Sequence, residues 1–265
     1  MERQKKLIEK KEWDYLLILD ACRYDYLKDL NRKEKFGKLH KVKPNSNDTP
    51  TWLKKTFDRK HDDIIYVSAN PFINSKSVET VKGFDASNIF FDVIDVWEKG
   101  WKEDDKTVPP QEMRKEIIKA NEKYKNKKII GHFMQPHTPY LSLGPVDGGI
   151  SRSKKATLKK QKINVLNNIK SSMAQALKLR KLYSKLIHIL GINKNQVGKV
   201  AERYGVDGLR KAYKENLEIA LKEIKIMLKY LNGDIVISSD HGEWLGENNK
   251  FGHARMKLPW LEVKK

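Results

Sequence analysis

A chain of 265 residues is long enough to bury one large core, and 39% apolar residues with 9% aromatics exclude a disordered polymer. A single cysteine, Cys22, excludes an internal disulfide and any structural zinc site built on cysteines. Lys and Arg number 54 against 34 Asp and Glu, a net charge of +20, which points to anionic partners: a polyanionic substrate, an anionic membrane surface or nucleic acid.

The first residues, MERQKKLIEKKEWDY, lack the apolar stretch of a signal peptide. No apolar run reaches the roughly 20 residues that cross a bilayer, so a cytoplasmic location, at most peripheral to a membrane, is expected. Residues 15–19 are all apolar and read as a buried strand that ends on Asp20, with Arg23 one turn further on. The loop Asn45-Ser46-Asn47-Asp48-Thr49-Pro50-Thr51 then offers three hydroxyls around a helix start signalled by Pro50. Residues 64–68 read as a second strand, 110–125 as a helix with prolines suited to its first turn, and 129–134 as a third strand running into Gln135-Pro-His137-Thr-Pro-Tyr140.

Residues 142–160, rich in Gly, Ser and Lys, read as a loop, and 161–205 as a helical insertion. Within this region 151–200 holds thirteen Lys and Arg and no acid. In 206–231, Leu209, Tyr213, Leu217, Ala220, Ile224, Leu228 and Leu231 recur at helical steps, and Asn232-Gly233 ends that helix. A fourth strand at 234–238 leads to Asp240-His241-Gly242-Glu243 and then Gly252-His253. Strands alternating with helices predict an α/β fold, a three-layer α/β/α domain with a mainly parallel central sheet over 1–265, carrying a basic loop and helical insertion at 142–205.

In such sheets sites gather at the carboxyl ends of strands, where Asp20, His132, His137, Asp240, His241 and His253 are expected. Hard carboxylate oxygens beside imidazole nitrogens suit one or two divalent ions, Zn²⁺ or Mn²⁺ ahead of Ca²⁺ or Mg²⁺. Arg23 is placed to hold an oxyanion by a bidentate pair. Glu243 and Glu247 are expected to orient the ligands.

These segments resemble the alkaline phosphatase-like superfamily, in particular the short sulfatase-like proteins of archaea. The resemblance rests on LLILDACRYDYL, NSNDTPTWLKKTF, GHFMQPHTPYL, AYKENLEIALKEI, VISSDHGEWLGE, FGH and LPWLEV, in the family's order, over about 12–141 and 205–263. It implies that Asp20, Asp240 and His241 hold one divalent metal together with a hydroxyl nucleophile. His137 and His253 would bind a second metal or the substrate's anionic oxygens. Relatives often place the nucleophile two residues before a proline, where this chain has Asp48; Thr49 is the chosen hydroxyl, with Ser46 and Thr51 as alternatives. The Cys22-Arg23-Tyr24-Asp25-Tyr26 run does not match the formylglycine signature of the family's sulfatases, which favours phosphate over sulfate esters. Gln135 stands where relatives often carry Asp, which weakens the second metal site. The chain ends soon after LPWLEV, so a shallow, open site is expected.

The expected activity is therefore a metal-dependent hydrolase or transferase of phosphate esters working through Thr49, with Arg23 and His137 in the catalytic set, on an anionic small-molecule, glycan or lipid-headgroup substrate. The alternative is a catalytically degenerate fold that binds nucleic acid or an anionic membrane through the basic 151–200 segment.

Overall fold

A computed structural model describes residues 1–144 and 196–264 of the chain. Seven strands, β1 (Tyr15–Leu19), β2 (Gly37–Val42), β3 (His61–Ser68), β4 (Phe90–Asp95), β5 (Lys128–Phe133), β6 (Ile235–Ser238) and β9 (Leu258–Val263), form one sheet in the order β2-β9-β6-β1-β5-β3-β4. The remaining two, β7 (Gly242–Leu245) and β8 (Phe251–Ala254), make a separate antiparallel ribbon. The pairs β6-β1, β1-β5, β5-β3 and β3-β4 are parallel, and only β9 runs antiparallel to its neighbours β6 and β2. The helices are α1 (Gln4–Lys10), α2 (Tyr24–Glu34), α3 (Thr49–Thr56), α4 (Ala86–Ile89), α5 (Val96–Lys99), α6 (Pro110–Lys123) and α7 (Gln196–Met227). This is the mainly parallel α/β architecture expected from the sequence.

Parallel strands need both faces covered, and β1 shows why its sequence is a continuous apolar run. On one face Leu16 and Ile18 join Ile64, Tyr66, Ile130, Val236 and Trp260 in a core that Leu7 and Ile8 of α1 and Trp52 and Leu53 of α3 complete. On the other face Leu17 lies beside Gly131 under Ile117 of α6. A Cβ at Gly131 would sit 2.5 Å from Ile117 Cδ1 and 3.2 Å from Leu17 Cδ2, so the glycine sets how closely the helix approaches.

The four central strands fall where the sequence places them, whereas β2, β4, β9 and the β7-β8 ribbon carry no comparable signal. The sequences of β2, Gly-Lys-Leu-His-Lys-Val, and of β4, Phe-Phe-Asp-Val-Ile-Asp, sit at the two sheet edges, where most of their side chains are half-buried or exposed and a polar residue costs little. The expected helix 206–231 begins instead at Gln196 and ends at Met227. A break at Gly205 (φ 73°, ψ 168°) separates two helical stretches, and the second buries Leu209, Tyr213, Leu217, Ala220 and Ile224 of the predicted apolar stripe, whereas Leu228 and Leu231 lie beyond its end. Of the expected insertion at 142–205, residues 145–195 lie outside the described residues and 196–205 are helical.

Candidate metal centre

Backbone bonds carry the strand pairing past the ends of the sheet. Asp20 N–H donates to Phe133 O (3.2 Å), His137 N–H to Asp20 O (3.2 Å), and Ala69 N–H to His132 O (2.9 Å). Asp20, Asn70, His132 and His137 are thereby drawn to one edge, and Asp240 arrives from the end of β6. Ala21 takes a left-handed conformation (φ 59°) that most side chains avoid, and its N–H donates to Asp240 Oδ1 at 3.0 Å. His241 N–H donates to the same oxygen at 2.9 Å. With Oδ1 held by two backbone donors, Oδ2 faces inward and accepts the hydroxyl of Thr49 at 2.6 Å.

Two clusters of ligand-type atoms result. Asp20, His132 and Asp240 place one donor atom each within 4.8 Å of one another, and so do His137, Glu243 and His253. His241 lies between the clusters, with Nε2 3.3 Å from Asp20 Oδ1 and 3.5 Å from Asp240 Oδ2, and its ring centroid 4.4 Å from that of His253. His137 Nε2 stands 3.1 Å from His253 Nε2 and 3.7 Å from Glu243 Oε2.

The tautomers that suit a metal are supported by the surroundings. Nδ1 of His241 meets Gly242 O (2.9 Å), Nδ1 of His137 meets Thr138 O (2.7 Å), and Nδ1 of His132 meets the Tyr66 hydroxyl (2.8 Å). Donation from Nδ1–H to those oxygens leaves Nε2 of each ring as a lone pair directed into the site. Asn70 Nδ2 holds the outer oxygen of Asp20 at 3.3 Å. Asp20 Oδ1, His132 Nε2, His241 Nε2 and both oxygens of Glu243 are buried without a hydrogen-bond partner. Each such orphaned group costs on the order of 1–3 kcal/mol, and five at one place fit a set of donors arranged for a divalent cation.

Electrostatics agree. Burial by itself would depress the His241 imidazole, but Asp240, Asp20 and Glu243 outweigh it and push its pKa up to about 10. Burial likewise opposes the charge on His137, and Glu243 and Asp20 overcome it and raise the pKa. Glu243 is raised because burial exceeds the relief offered by His137 and His241. Asp20 is lowered although burial opposes its charge, because His241, His137 and His132 surround it. The neighbouring carboxylates thus favour the protonated forms of His137 and His241, whereas burial depresses His132, and a divalent cation would replace such protons.

The three hydroxyls of the 45–51 loop separate. Thr49, the first residue of α3, reaches Asp240; Ser46 Oγ turns back to Asp48 O (3.0 Å); and Thr51 is anchored through its N–H, which donates to Asp48 Oδ1 (2.8 Å). Asp48, two residues before Pro50, is the cap of α3 and accepts the Thr51 N–H.

Arg23 departs from its expected place. Its guanidinium donates to Asp25 (3.0 and 2.6 Å) and to Glu247 (2.6 Å), so its fork is committed to two carboxylates instead of open to an oxyanion. Glu247, expected near the ligands, is occupied by Arg23 and by the N–H of Leu245 (2.8 Å). Gln135 donates to Thr107 Oγ1 and Val108 O (3.4 and 3.2 Å), and the carboxylate of the second cluster is that of Glu243, on β7. The Asp-His-Gly-Glu spacing signalled Glu243, but as an orienting group; Asn70 and Tyr66 had no local signal.

No family model and no curated protein sequence matches the chain. Solved structures do match in fold. The integral membrane protein lipooligosaccharide phosphoethanolamine transferase A from Neisseria meningitidis is 13% identical, with a TM-score of 0.52 over 96% of this chain and 49% of that one. This chain therefore spans about half its length. The C-terminal periplasmic domain of phosphoethanolamine transferase EptC from Campylobacter jejuni is 12% identical, with a TM-score of 0.50 over 94% of this chain and 78% of that one. A protein in the alkaline phosphatase superfamily from Vibrio parahaemolyticus is 10% identical, with a TM-score of 0.45 over 96% and 60% of the two chains. The chain has the fold of the two transferases.

Proposed function

We propose that this alkaline phosphatase-like domain is a metal-dependent hydrolase or transferase of phosphate esters, working through Thr49 on glycan or lipid headgroups. The observation that carries the reading is the 2.6 Å contact of Thr49 Oγ1 with Asp240 Oδ2 beside five orphaned, buried ligand atoms. The two transferases of matching fold are named for phosphoethanolamine transfer, which supports a headgroup substrate.

Asp20, Asp240 and His241, bordered by His132, would hold one divalent cation with Thr49, and His137, Glu243 and His253 a second; such cations polarise phosphoryl oxygens and lower the pKa of a bound alcohol. The chain's own residues then act in two displacements. As Thr49 Oγ1 bonds to phosphorus, its proton leaves to solvent, which reaches the site at the exposed His253, and the phosphorus–oxygen bond to the leaving group breaks, the leaving oxygen taking a proton from the same solvent. In the second step a water or alcohol oxygen attacks phosphorus and gives its proton to solvent, while Thr49 Oγ1 departs and recovers a proton. With Oδ1 bound to the N–H groups of Ala21 and His241, Asp240 keeps Oδ2 on Thr49, and burial of the pair, 3% and 0% exposed, holds the nucleophile in place.

The test pairs metal analysis with trapping of the covalent intermediate. Protein purified without chelator should carry about one or two equivalents of Zn²⁺ or Mn²⁺, lost in Asp240→Ala. After brief exposure to bis(p-nitrophenyl) phosphate, peptide mass spectrometry should find a phosphoryl adduct on Thr49. No metal uptake, or an adduct on Ser46 or Thr51, would overturn the reading.

A further inference from the structure

Beside the metal centre lies a second, strongly basic feature. A groove of about 650 Å³ opens between the start of α2, the end of β2 and the connection from β8 to β9. Lys41, Lys43, Arg255 and Lys257 line it, over a floor that includes Tyr24 and Met256. All four cations are exposed and none makes an ion pair among the described residues. Among the described residues only Lys41 has a side-chain partner, its ammonium lying 4.8 Å from the centre of the Tyr24 ring. The one acid in the wall, Asp25, is already bound to Arg23. The first turn of α2, whose positive end adds to the field, has no side-chain cap.

The groove adjoins the centre through two short links. Arg255 follows His253 by two residues, a reach of at most about 7 Å of extended chain. Met256 packs on Gly242, where a Cβ would come within 2.1 Å of its Cγ, so this wall rests on the residue between His241 and Glu243. Four cations without an ion pair among the described residues, held at one cavity with Arg255 two residues from His253, repel one another unless an anion joins them.

We propose that this groove is a subsite for a second phosphate of the substrate, held beside the phosphate ester that reacts. The inference rests on the phosphoester reading above and names its substrate class: a molecule carrying two phosphate groups within a few bonds of each other. The groove binds the spectator phosphate and aligns the reacting one.

The test begins with binding. Inorganic pyrophosphate is titrated calorimetrically into chelator-treated full-length protein, so that no metal contributes. The triple variant Lys43→Ala/Arg255→Ala/Lys257→Ala should bind it about tenfold or more weakly, whereas a charge-matched control, Lys33→Ala/Lys55→Ala/Lys229→Ala, should bind as the wild type does. Equal weakening in both triples would show diffuse attraction to a basic protein and overturn the subsite. On the metal-loaded enzyme, the groove variant should keep its kcat with bis(p-nitrophenyl) phosphate, which has one phosphate. An enzyme inert toward every phosphoester whose pyrophosphate binding still depends on the groove would refute the catalytic reading and leave the anion site standing. Vesicles containing phosphatidic acid, compared with soluble pyrophosphate as competitor, separate a lipid source of the phosphate from a free one: loss of vesicle binding in the groove variant alone points to a lipid.

Discussion

Thr49 and Asp240 stand 191 positions apart in the chain and 2.6 Å apart in space, and what surrounds them decides which substitutions matter. Thr49→Ser keeps the hydroxyl and should retain activity within about tenfold, while Thr49→Ala should lose about a thousandfold or more in kcat with metal content unchanged. Steady-state kinetics beside metal analysis check the pair. A different residue sets an acid limit on stability. His61, at the start of β3, lies near Phe57 and Phe90, with ring centroids 5.6 and 6.2 Å away and a buried Nε2 that has no hydrogen-bond partner. Burial depresses its pKa, with Asp63, Asp58 and Glu9 pulling the other way and Arg59 adding to the depression. The unfolded chain therefore binds this proton more readily, and stability falls as pH drops below about 6.5. His61→Phe cannot take the proton, so its Tm relative to the wild type should rise between about pH 7 and pH 5.

At the scale of elements, two buried side chains connect pieces that the site needs. Gln4 of α1 donates to Ser238 Oγ (2.8 Å) and Ser239 O (2.5 Å) at the end of β6, and accepts the indole N–H of Trp52 in α3 (2.8 Å). One amide thus ties the strand that presents Asp240 to the helix that presents Thr49. Gln4→Ala would strand these partners and should cost about 2–3 kcal/mol, read by urea denaturation. Asn216 of α7 does the same for the His137 loop: its Nδ2 donates to Pro136, His137 and Pro139 carbonyls (3.4, 3.2 and 3.1 Å), and its Oδ1 accepts Leu141 N–H (2.8 Å). Asn216→Leu keeps the volume and removes all four bonds. It should lower stability by about 2 kcal/mol or more and weaken binding of a second metal equivalent while sparing the first, which metal titration followed by mass spectrometry resolves.

For the molecule as a whole, the candidate ligands come from β1, β5, β6, β7 and β8 or the turns that follow them, so a cation would join the central sheet to the outlying ribbon. A ligand that binds only the folded chain stabilises it by about 4 kcal/mol at a thousandfold excess over Kd. Calorimetry with and without chelator should therefore show a higher Tm for the metal-loaded protein, and Asp240→Ala should reduce the difference. The wide charge imbalance acts over the same scale. With four groove cations left unpaired, binding of any polyphosphate should weaken steeply as salt rises.

The central half of the fold and much of the site could be read from the chain because both are local patterns. A parallel strand buried on both faces, such as Tyr15–Leu19, is a continuous apolar run whatever packs on it, and a candidate ligand just beyond its end, Asp20 or Asp240-His241, is marked by that run. Hydroxyl, imidazole and carboxylate are also types with few other reasons to cluster at strand ends. Other features exist only through distant neighbours. Edge strands such as Gly37–Val42 bury too little to leave a pattern, and Asn216 is one polar residue in a helical stripe until the His137 loop folds over it. Arg23 looked free to meet an anion, but Glu247, 224 residues away, claims its guanidinium. Glu243 serves the second cluster because the β7-β8 hairpin sets it opposite His253, a pairing that spacing along the chain does not contain. Burial on both faces of a strand is written into consecutive residues; the partner that satisfies a buried charge is chosen only when the sheet and its ribbon close around it.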